Sequence, residues 1–235
     1  MKKRSYQKFF SVRKNILIGL IVLFLSIPML VIFLQRQQIF FQRAATTKTI
    51  TVTVADNLQQ RIDSLQAGDT LLLQSGVYDA PIRADGRNGT AANPIIIKAA
   101  EDGKTIIEGN GAIAIGAYNS SHVIFEGFAA TSGGKDVVGA FSNSHDITFR
   151  RITAKETTPG NTHVFRADPN TRNIIFEDCA GMGRGRYIFS AYQAETIAFR
   201  RSWGYRPHTT EWSPAPRGTF NPYETSNVTV ENVIG

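Results

Sequence analysis

The 235-residue sequence contains a single cysteine, Cys179, and its first 50 residues contain no Asp or Glu. One cysteine excludes a fold held together by internal disulfides. Nine of the 26 Lys and Arg lie in those 50 residues, so the rest of the chain carries 17 basic residues against all 19 acidic ones. Because the basic excess is confined to the N-terminal segment, we do not expect nucleic acid as a partner.

Residues 16–34 form an apolar run of nineteen residues without a charged side chain. A helix of that length extends roughly 28 Å, which matches the hydrocarbon core of a membrane. Six Lys and Arg precede the run, and only Arg36 and Arg43 follow it closely, so we expect a cytoplasmic N-terminus. The predicted organisation is a basic cytoplasmic tail (1–15), a transmembrane signal anchor (16–34), a linker (35–52) and an extracytoplasmic domain (53–235). The alternative is a cleaved signal peptide, whose apolar core is normally shorter and which also exports the domain.

One short helix is predicted at the start of the domain. Asp56 is the expected N-cap, Leu58, Ile62 and Leu65 share one helical face, and Gly68 ends the helix. No second long helical period follows. Instead the chain shows short strand-like segments separated by glycine, which favours an all-β fold. The first of them are Thr70–Leu73, Pro94–Lys98, Thr105–Glu108 and Ala112–Ile115.

A short motif repeats five times in the second half of the chain. Each copy has apolar residues at its first and third positions, and successive copies begin 23 to 31 residues apart. Units this short cannot bury an apolar face alone, so they must stack into a continuous core. The copies are Val123–Phe128, Ile147–Ile152, Ile174–Cys179, Ile197–Ser202 and Val228–Val233.

The fourth position of this motif is always charged, and its sign alternates from copy to copy. Strands stacked in parallel and in register would bring each charge beside opposite charges, at roughly 0.2 to 1 kcal/mol per pair. We therefore predict a parallel β-helix with a structural charge ladder, with a charged functional site as the alternative. A leucine-rich solenoid and a propeller need other repeat signatures. The ladder residues are Glu126, Arg150, Glu177, Arg200 and Glu231.

Four stretches near the start of the domain resemble the opening of pectin-lyase-like β-helix proteins, most of all the chondroitinase B and alginate lyase group. They are Gly68–Leu71, Gly76–Tyr78, Gly89–Ile95 and Ile97–Gly103. The resemblance implies an all-β fold, namely a right-handed, single-stranded parallel β-helix over 53–235 whose open end is closed by the helix at 56–66. It also implies elimination chemistry on acidic polysaccharides. Calcium is implied as a cofactor by the resemblance only, since the Lys, Arg and acidic residues of the chondroitinase B type have no residue-by-residue match here.

Candidate site residues come from extending the repeat alignment backward, which places Asp136, His163, Arg186 and Arg217 in one column. For the implied chemistry, Arg186 and Arg217 would bind a uronate carboxylate, and His163 or His208 would act as the base. We take His163, Arg186 and Arg217 as the catalytic candidates. The substrate-binding candidates are Tyr192, Trp203, Tyr205, His208, Trp212 and Tyr223. In the alternative interpretation these are solvated arginines, a capping histidine and a loop that covers the barrel, since fold alone does not establish activity.

The sequence ends at Val233–Gly235, directly after the last repeat. Solenoids need a polar terminal cap, so we predict that C-terminal coils are missing or that self-association covers this end. The main functional hypothesis is a membrane-anchored extracytoplasmic protein that binds an acidic polysaccharide, with its cleavage by β-elimination left open. The alternatives are a noncatalytic module that binds a glycan or the cell wall, and a truncated fragment without activity.

Overall fold

The computed structural model describes residues 47–156, 158, 160–207 and 217–235, which belong to one compact unit, Thr47–Gly235. The predicted cytoplasmic tail, the transmembrane segment and most of the linker lie outside the described residues, as do His208 and Trp212. The described part of the chain holds no helix with the length and apolar composition that crossing a membrane requires.

The described chain winds through three sheets in which neighbouring strands are parallel. Sheet 1 contains β1 (Thr49–Val52), β2 (Thr70–Leu73), β5 (Ile95–Ala99), β8 (Ser121–Glu126), β11 (His145–Arg150), β14 (Arg172–Glu177), β17 (Glu195–Arg200) and β20 (Ser226–Glu231). Sheet 2 contains β3 (Gly76–Tyr78), β6 (Thr105–Glu108), β9 (Phe128–Ser132), β12 (Thr153–Glu156), β15 (Ala180–Met182) and β18 (Trp203–Tyr205). Sheet 3 contains β4 (Ile82–Asp85), β7 (Ile115–Tyr118), β10 (Val138–Phe141), β13 (His163–Ala167), β16 (Tyr187–Tyr192) and β19 (Gly218–Tyr223). From β2 onward each turn of the chain adds one strand to each sheet in order, so the predicted all-β parallel β-helix is confirmed.

The core fills the inside of the coil with stacked phenylalanines. Phe125, Phe149, Phe176 and Phe199 are register partners in sheet 1, and their ring centroids follow one another at 5.1, 5.3 and 5.6 Å. All four side chains are fully buried. Inward and outward side chains alternate along each strand, so a sequence period of two becomes a continuous apolar column.

The charge ladder forms as predicted on the outer face of sheet 1. Arg150 lies between Glu126 and Glu177 in the register, and it forms an ion pair with Glu126. Arg200 lies between Glu177 and Glu231. The residues that follow the ladder arginines add further pairs: Arg201 Nη2 is 2.8 Å from Glu177 Oε1, and Arg151 contacts Glu126. The alternation is therefore explained by strand stacking.

The predicted helix exists as α1 (Leu58–Asp63), and it packs against β4. Its buried residues Leu58 and Ile62 join the core, as expected. The predicted N-cap was wrong by one residue. Asn57 Oδ1 accepts a hydrogen bond from the Gln60 N–H, whereas Asp56 accepts from the backbone N–H and hydroxyl of Thr53.

Two strand boundaries also differ from the sequence prediction. The strand predicted at Ala112–Ile115 is wrong, because the Ala112 N–H donates to the Gly109 carbonyl in a turn and the strand begins only at Ile115. The predicted strand Pro94–Lys98 is shifted by one residue to Ile95–Ala99, which keeps proline out of the ladder. A further strand that the pattern did not indicate, β1, lies at the end of the predicted linker.

Candidate functional site

A groove of about 510 Å³ lies along the outer face of sheet 3 and is bordered by β13, β16 and β19. It brings together four of the nine predicted site residues: His163, Arg186, Tyr192 and Tyr223. The complete lining is Asn161, His163, Arg166, Arg186, Tyr187, Ser190, Tyr192, Asn221 and Tyr223.

The strand period determines which side chains reach this groove. Phe165, Phe189 and Phe220 stack inside the coil, with centroids 4.6 and 4.8 Å apart. The residues that follow them are Arg166, Ser190 and Asn221, which are register partners and point outward. Two positions further on, the register partners Tyr192 and Tyr223 also point outward. The groove floor is therefore polar and its end is aromatic.

Hydrogen bonds join three residues at the groove into one cluster, namely Asp136, His163 and Arg166. The Asp136 Oδ1 atom accepts a hydrogen bond from the His163 backbone N–H at 2.7 Å and lies 3.0 Å from the ring Nδ1. Arg166 Nη1 donates to Asp136 Oδ2 at 3.0 Å, and Arg166 Nη2 lies 2.6 Å from Asp168 Oδ1. Arg166 is thus fixed between two carboxylates, and Asp136 between a histidine and an arginine.

Asp136 is buried, yet it is charged at neutral pH. Burial by itself would raise the pKa of Asp136, but the hydrogen bonds from His163 and the charge of Arg166 outweigh burial and hold the pKa below its ordinary value. An ionised carboxylate can only accept hydrogen bonds, so His163 Nδ1 must carry the proton of this contact. In a neutral imidazole, Nε2 then keeps its lone pair for a ligand.

Arg186 borders the cluster through an aromatic ring. Its guanidinium lies 5.0 Å from the centroid of the Tyr187 ring, and that ring stacks on His163 with centroids 5.6 Å apart. Arg186 Nη1 also donates to Asn161 Oδ1 at 3.3 Å. These contacts orient a second guanidinium toward the same groove as Arg166.

The predicted column of Asp136, His163, Arg186 and Arg217 is wrong by one residue from Arg186 onward. His163 pairs with Tyr187, and Tyr187 pairs with Gly218, so Arg186 and Arg217 each lie one position earlier. The cause is the turn between sheet 3 and sheet 1. Ala167 and Arg172 are five positions apart, whereas their register partners Ala191 and Glu195 are four apart. The gapless alignment starts at the sheet 1 motif and runs backward along the chain. The one-residue difference in the turn therefore displaces every aligned position of the sheet 3 strand that precedes it.

A row of aromatic rings continues from the groove along sheet 3. Tyr192 and Tyr223 stack with centroids 5.7 Å apart, and Tyr223 is 56% exposed. In the same row of sheet 3, Tyr118 and Phe141 stack at 5.0 Å. The rings of Tyr118 and Phe141 lie against Gly116 and Gly139, where a Cβ atom would come within 2.6 and 2.8 Å of ring carbons. The sequence analysis identified the tyrosine pair and missed the second pair and its two glycines.

The remaining predicted site residues, both substrate-binding and catalytic, are not part of the groove lining described above. Trp203 and Tyr205 belong to β18 of sheet 2 and stack on each other at 6.0 Å, outside the groove lining. Arg217 directly precedes β19 and is also outside the lining. His208 and Trp212 lie outside the described residues.

Glu156 is a buried carboxylate that the sequence analysis did not identify. It accepts hydrogen bonds from the backbone N–H groups of Thr158 and Arg184. Burial raises the pKa of Glu156, and these hydrogen bonds oppose that rise only in part. Because Thr158 and Arg184 lie close in sequence to Asn161 and Arg186, Glu156 supports two segments that line the groove.

The carboxylates at the groove do not fit the calcium site that the resemblance implies. Calcium needs several oxygen ligands that are not committed to other cations. Asp136 and Asp168 are both paired with Arg166, whose positive charge lies within 3.0 Å of each of them. The described lining of the groove instead offers guanidinium, amide and hydroxyl groups, which donate hydrogen bonds and suit an anionic ligand.

The comparisons with known proteins agree with this architecture. The model of the Chondroitinase B family matches residues 52–155. Among solved structures, the chain is similar to pectate lyase Pel9A, with 13% identity, a TM-score of 0.55, and coverage of 74% of this chain and 58% of that one. A rhamnogalacturonan lyase shows 14% identity, a TM-score of 0.50, and coverage of 75% and 62%. No curated protein matches the chain in sequence.

These similarities show that the protein shares the parallel β-helix fold of the two lyases. The chain spans 58% of the pectate lyase chain and 62% of the rhamnogalacturonan lyase chain. The family match ends at residue 155, before the first groove residue, Asn161. The fold is therefore shared with polysaccharide lyases, and the roles of the groove residues must be argued from their own geometry.

Proposed function

We propose that the protein binds an acidic polysaccharide in the groove of sheet 3 and cleaves it by β-elimination. The observation that carries this proposal is the Asp136–His163 pair beside the guanidinium groups of Arg166 and Arg186. It combines a histidine positioned by a carboxylate with Arg186, a group that binds carboxylates in forked geometry, while Arg166 holds the carboxylate of Asp136 in place.

Binding would use the charge and the aromatic rings of the groove together. Arg186 would hold a uronate carboxylate, while Ser190, Asn161 and Asn221 offer hydrogen bonds to hydroxyl groups. The half-buried ring of Tyr192 and the exposed ring of Tyr223 would stack on the face of a neighbouring sugar. A groove that is open along the sheet suits a chain polymer better than a small molecule enclosed on all sides.

Cleavage would begin with the proton on C5 of the bound uronate. An arginine that neutralises the carboxylate makes this proton more acidic, and Nε2 of His163 accepts it. The electron pair of the C5–H bond forms a C4–C5 double bond, and the C4–O4 bond breaks with its electrons on O4. The leaving oxygen then takes a proton from the imidazolium or from water. Asp136 keeps the imidazole oriented and balances its positive charge.

The test uses the full-length chain purified in detergent micelles and incubated with alginate, pectate or chondroitin. The C4–C5 double bond is conjugated with the carboxylate, so we expect ultraviolet absorbance to rise with one or more of these substrates. The variant His163→Gln should bind the same polysaccharide and lose the absorbance change. A variant that cleaves at the wild-type rate would contradict the role of His163.

A noncatalytic glycan-binding function is the second candidate, and one observation favours it. His163 is only 6% exposed, and Arg166 is already paired with two carboxylates, whereas the tyrosine pair is open to solvent. Measurable binding by the wild-type chain without any absorbance change would support this candidate over the lyase.

We further propose that residues 16–34 anchor the protein in a membrane with the β-helix on the outside. The support is the uncharged run with basic residues before it. This orientation would also place the proposed binding groove outside the cell, where polysaccharides are found. The protein should stay in the membrane fraction after alkaline carbonate extraction, with its β-helix accessible to external protease. Release into the soluble fraction with a new N-terminus after residue 34 would indicate a cleaved signal peptide instead.

Self-association at the last described coil stays a prediction. Strand β20 forms one edge of sheet 1, and Val230 on this strand and Ile234 after it are exposed. Edge strands with exposed apolar residues favour pairing with a second copy. Sedimentation of the full chain should show a dimer that Val230→Lys dissociates, and a wild-type monomer would contradict this prediction.

A further inference from the structure

Two histidines and one aspartate meet on the outside of sheet 1, on strands different from those that border the groove. His122 lies on β8, and His145 and Asp146 lie on β11 of the next coil. Because Ile147 pairs with Val123, Asp146 lies beside His122 across the strand pair. One ligand atom from each of the three residues lies within 4.8 Å of the others, and no other such group of three is found among the described residues.

The carboxylate of Asp146 faces both imidazoles. Its Oδ2 atom is 2.6 Å from His145 Nδ1 and 3.8 Å from His122 Nε2. Its Oδ1 atom accepts a hydrogen bond from Asn173 Nδ2 at 3.0 Å. The amide of Asn173 therefore orients the carboxylate so that one oxygen is held by the protein and the other points toward the two rings, as outer hydrogen bonds do for metal ligands.

The three side chains are partly shielded from solvent, at 28% to 32% exposure. An ion can reach them, and their positions are already restricted by the two strands and by the edge-to-face packing of the imidazole rings, whose centroids are 6.0 Å apart. A site that is organised before the ion arrives loses less conformational entropy on binding.

We propose that His122, His145 and Asp146 form a zinc-binding site that joins two consecutive coils of the β-helix. Two imidazole nitrogens and one carboxylate oxygen are a common ligand set for Zn²⁺, with the fourth tetrahedral position taken by water. Calcium prefers oxygen ligands throughout and is not expected here. On binding, the metal ion takes the place of the hydrogen between His145 Nδ1 and Asp146 Oδ2, and the neutral imidazole that coordinates through Nδ1 carries its hydrogen on Nε2.

The test is metal binding itself and is independent of any activity on polysaccharide. The full-length chain is purified in detergent without a polyhistidine tag, stripped with a chelator, and titrated with Zn²⁺ by calorimetry. We expect one Zn²⁺ per chain, a higher melting temperature with zinc, and no competition by excess Ca²⁺. Substitution of Co²⁺ should give the visible absorption bands of a tetrahedral site in the wild-type chain, a readout that needs no variant.

Variants locate the ion among the four histidines of the chain. His122→Ala and His145→Ala should each abolish stoichiometric binding, whereas His163→Ala and His208→Ala should leave it unchanged. Asn173→Ala should weaken binding by about 10- to 100-fold, the usual effect of removing an outer hydrogen bond to a ligand. Asn227→Ala is the matched control, because Asn227 has the same backbone φ of 53° at the equivalent corner two coils further on.

Circular dichroism of the stripped variants shows whether each one is folded. The proposal is overturned by an absence of stoichiometric zinc binding in the wild-type chain, or by retained binding in folded His145→Ala. Equal effects of Asn173→Ala and Asn227→Ala would also contradict it, since only Asn173 contacts the carboxylate.

Discussion

The carboxylate of Asp136 accepts a hydrogen bond from the backbone N–H of His163 at 2.7 Å and lies 3.0 Å from the Nδ1 atom of the same residue. The two residues are 27 positions apart and lie beside each other on successive coils of sheet 3. One acidic side chain therefore fixes both the backbone and the ring of the proposed base. The solenoid geometry makes this contact, since residues one coil apart become neighbours.

Asp136→Asn should reduce cleavage much more than binding. The amide removes the negative charge that orients Nδ1–H and balances the imidazolium, so kcat should fall by roughly 100-fold or more, within the range of general base catalysis. KM should change little, because Arg186 and the tyrosines remain. Initial rates of absorbance increase over a range of polysaccharide concentrations separate the two constants.

Asp168→Asn is the control for this substitution. Asp168 also pairs with Arg166, but it follows the last residue of β13, whereas His163 begins that strand, so kcat should fall by far less. Equal losses in the two variants would show that Arg166, and not the histidine, is what Asp136 supports.

The pH dependence of stability should also reveal Asp136. Its pKa is lowered in the folded protein, so its contribution to the free energy of unfolding is complete above the ordinary Asp pKa of about 3.9 and is lost as the pH falls below that value. The difference in unfolding free energy between wild type and Asp136→Asn should shrink as the pH falls from about 5 to below about 4, where the carboxylate becomes protonated. Urea denaturation of both proteins across this range measures it. A difference that grows on acidification would contradict the assigned direction.

The aromatic row gives a test of where the polysaccharide lies. Tyr223→Ala and Tyr192→Ala should each weaken binding by about fivefold, close to 1 kcal/mol for one stacked ring. Trp203→Ala and Tyr205→Ala are matched controls, because they remove a stacked and exposed aromatic pair from sheet 2 instead. Calorimetric titration with oligosaccharides checks all four. A larger loss in the Trp203 variant would place the ligand on sheet 2.

The periodic parts of the structure were predictable from the sequence, and the site was predictable only in part. The phenylalanine column and the ladder from Glu126 to Glu231 repeat in every coil, so five copies of one motif were enough to align them. The groove depends on turns of unequal length, and one residue of difference near Arg172 displaced Arg186 from its predicted column. Arg166 was missed because its partner Asp136 is 30 positions away and no motif links them.

The contact between Asn173 and Asp146 shows the same limit at the proposed metal site. Asparagine at a corner with positive φ is expected from local backbone preference alone, and Asn227 fills the equivalent place. Only the stacking of coils shows that one of these amides reaches a carboxylate that faces two imidazoles. Sequence reasoning finds such a cluster once the register is known, and not before.

Phe176 should be the most sensitive position of the phenylalanine core. It stacks on Phe149 and Phe199 within sheet 1, and its edge contacts the rings of Phe165 and Phe189 from sheet 3. Phe176→Ala therefore leaves a cavity that both stacks border, and the free energy of unfolding should fall by about 3–5 kcal/mol.

Arg201→Ala provides the contrast on the outer surface, since Arg201 follows β17 of the next coil and pairs with the coil of Phe176. Arg201 pairs with Glu177 and Asp178, but its side chain is 48% exposed, so the loss should be far smaller than that of Phe176→Ala, because solvent-exposed ion pairs contribute little to stability. Urea denaturation of the full-length chain, followed by circular dichroism, compares both variants with wild type. Because each coil contacts only its neighbours, the Phe176 variant should also separate the transition into two steps. Equal losses for the two substitutions would mean that the charge ladder, and not the stacked rings, holds successive coils together.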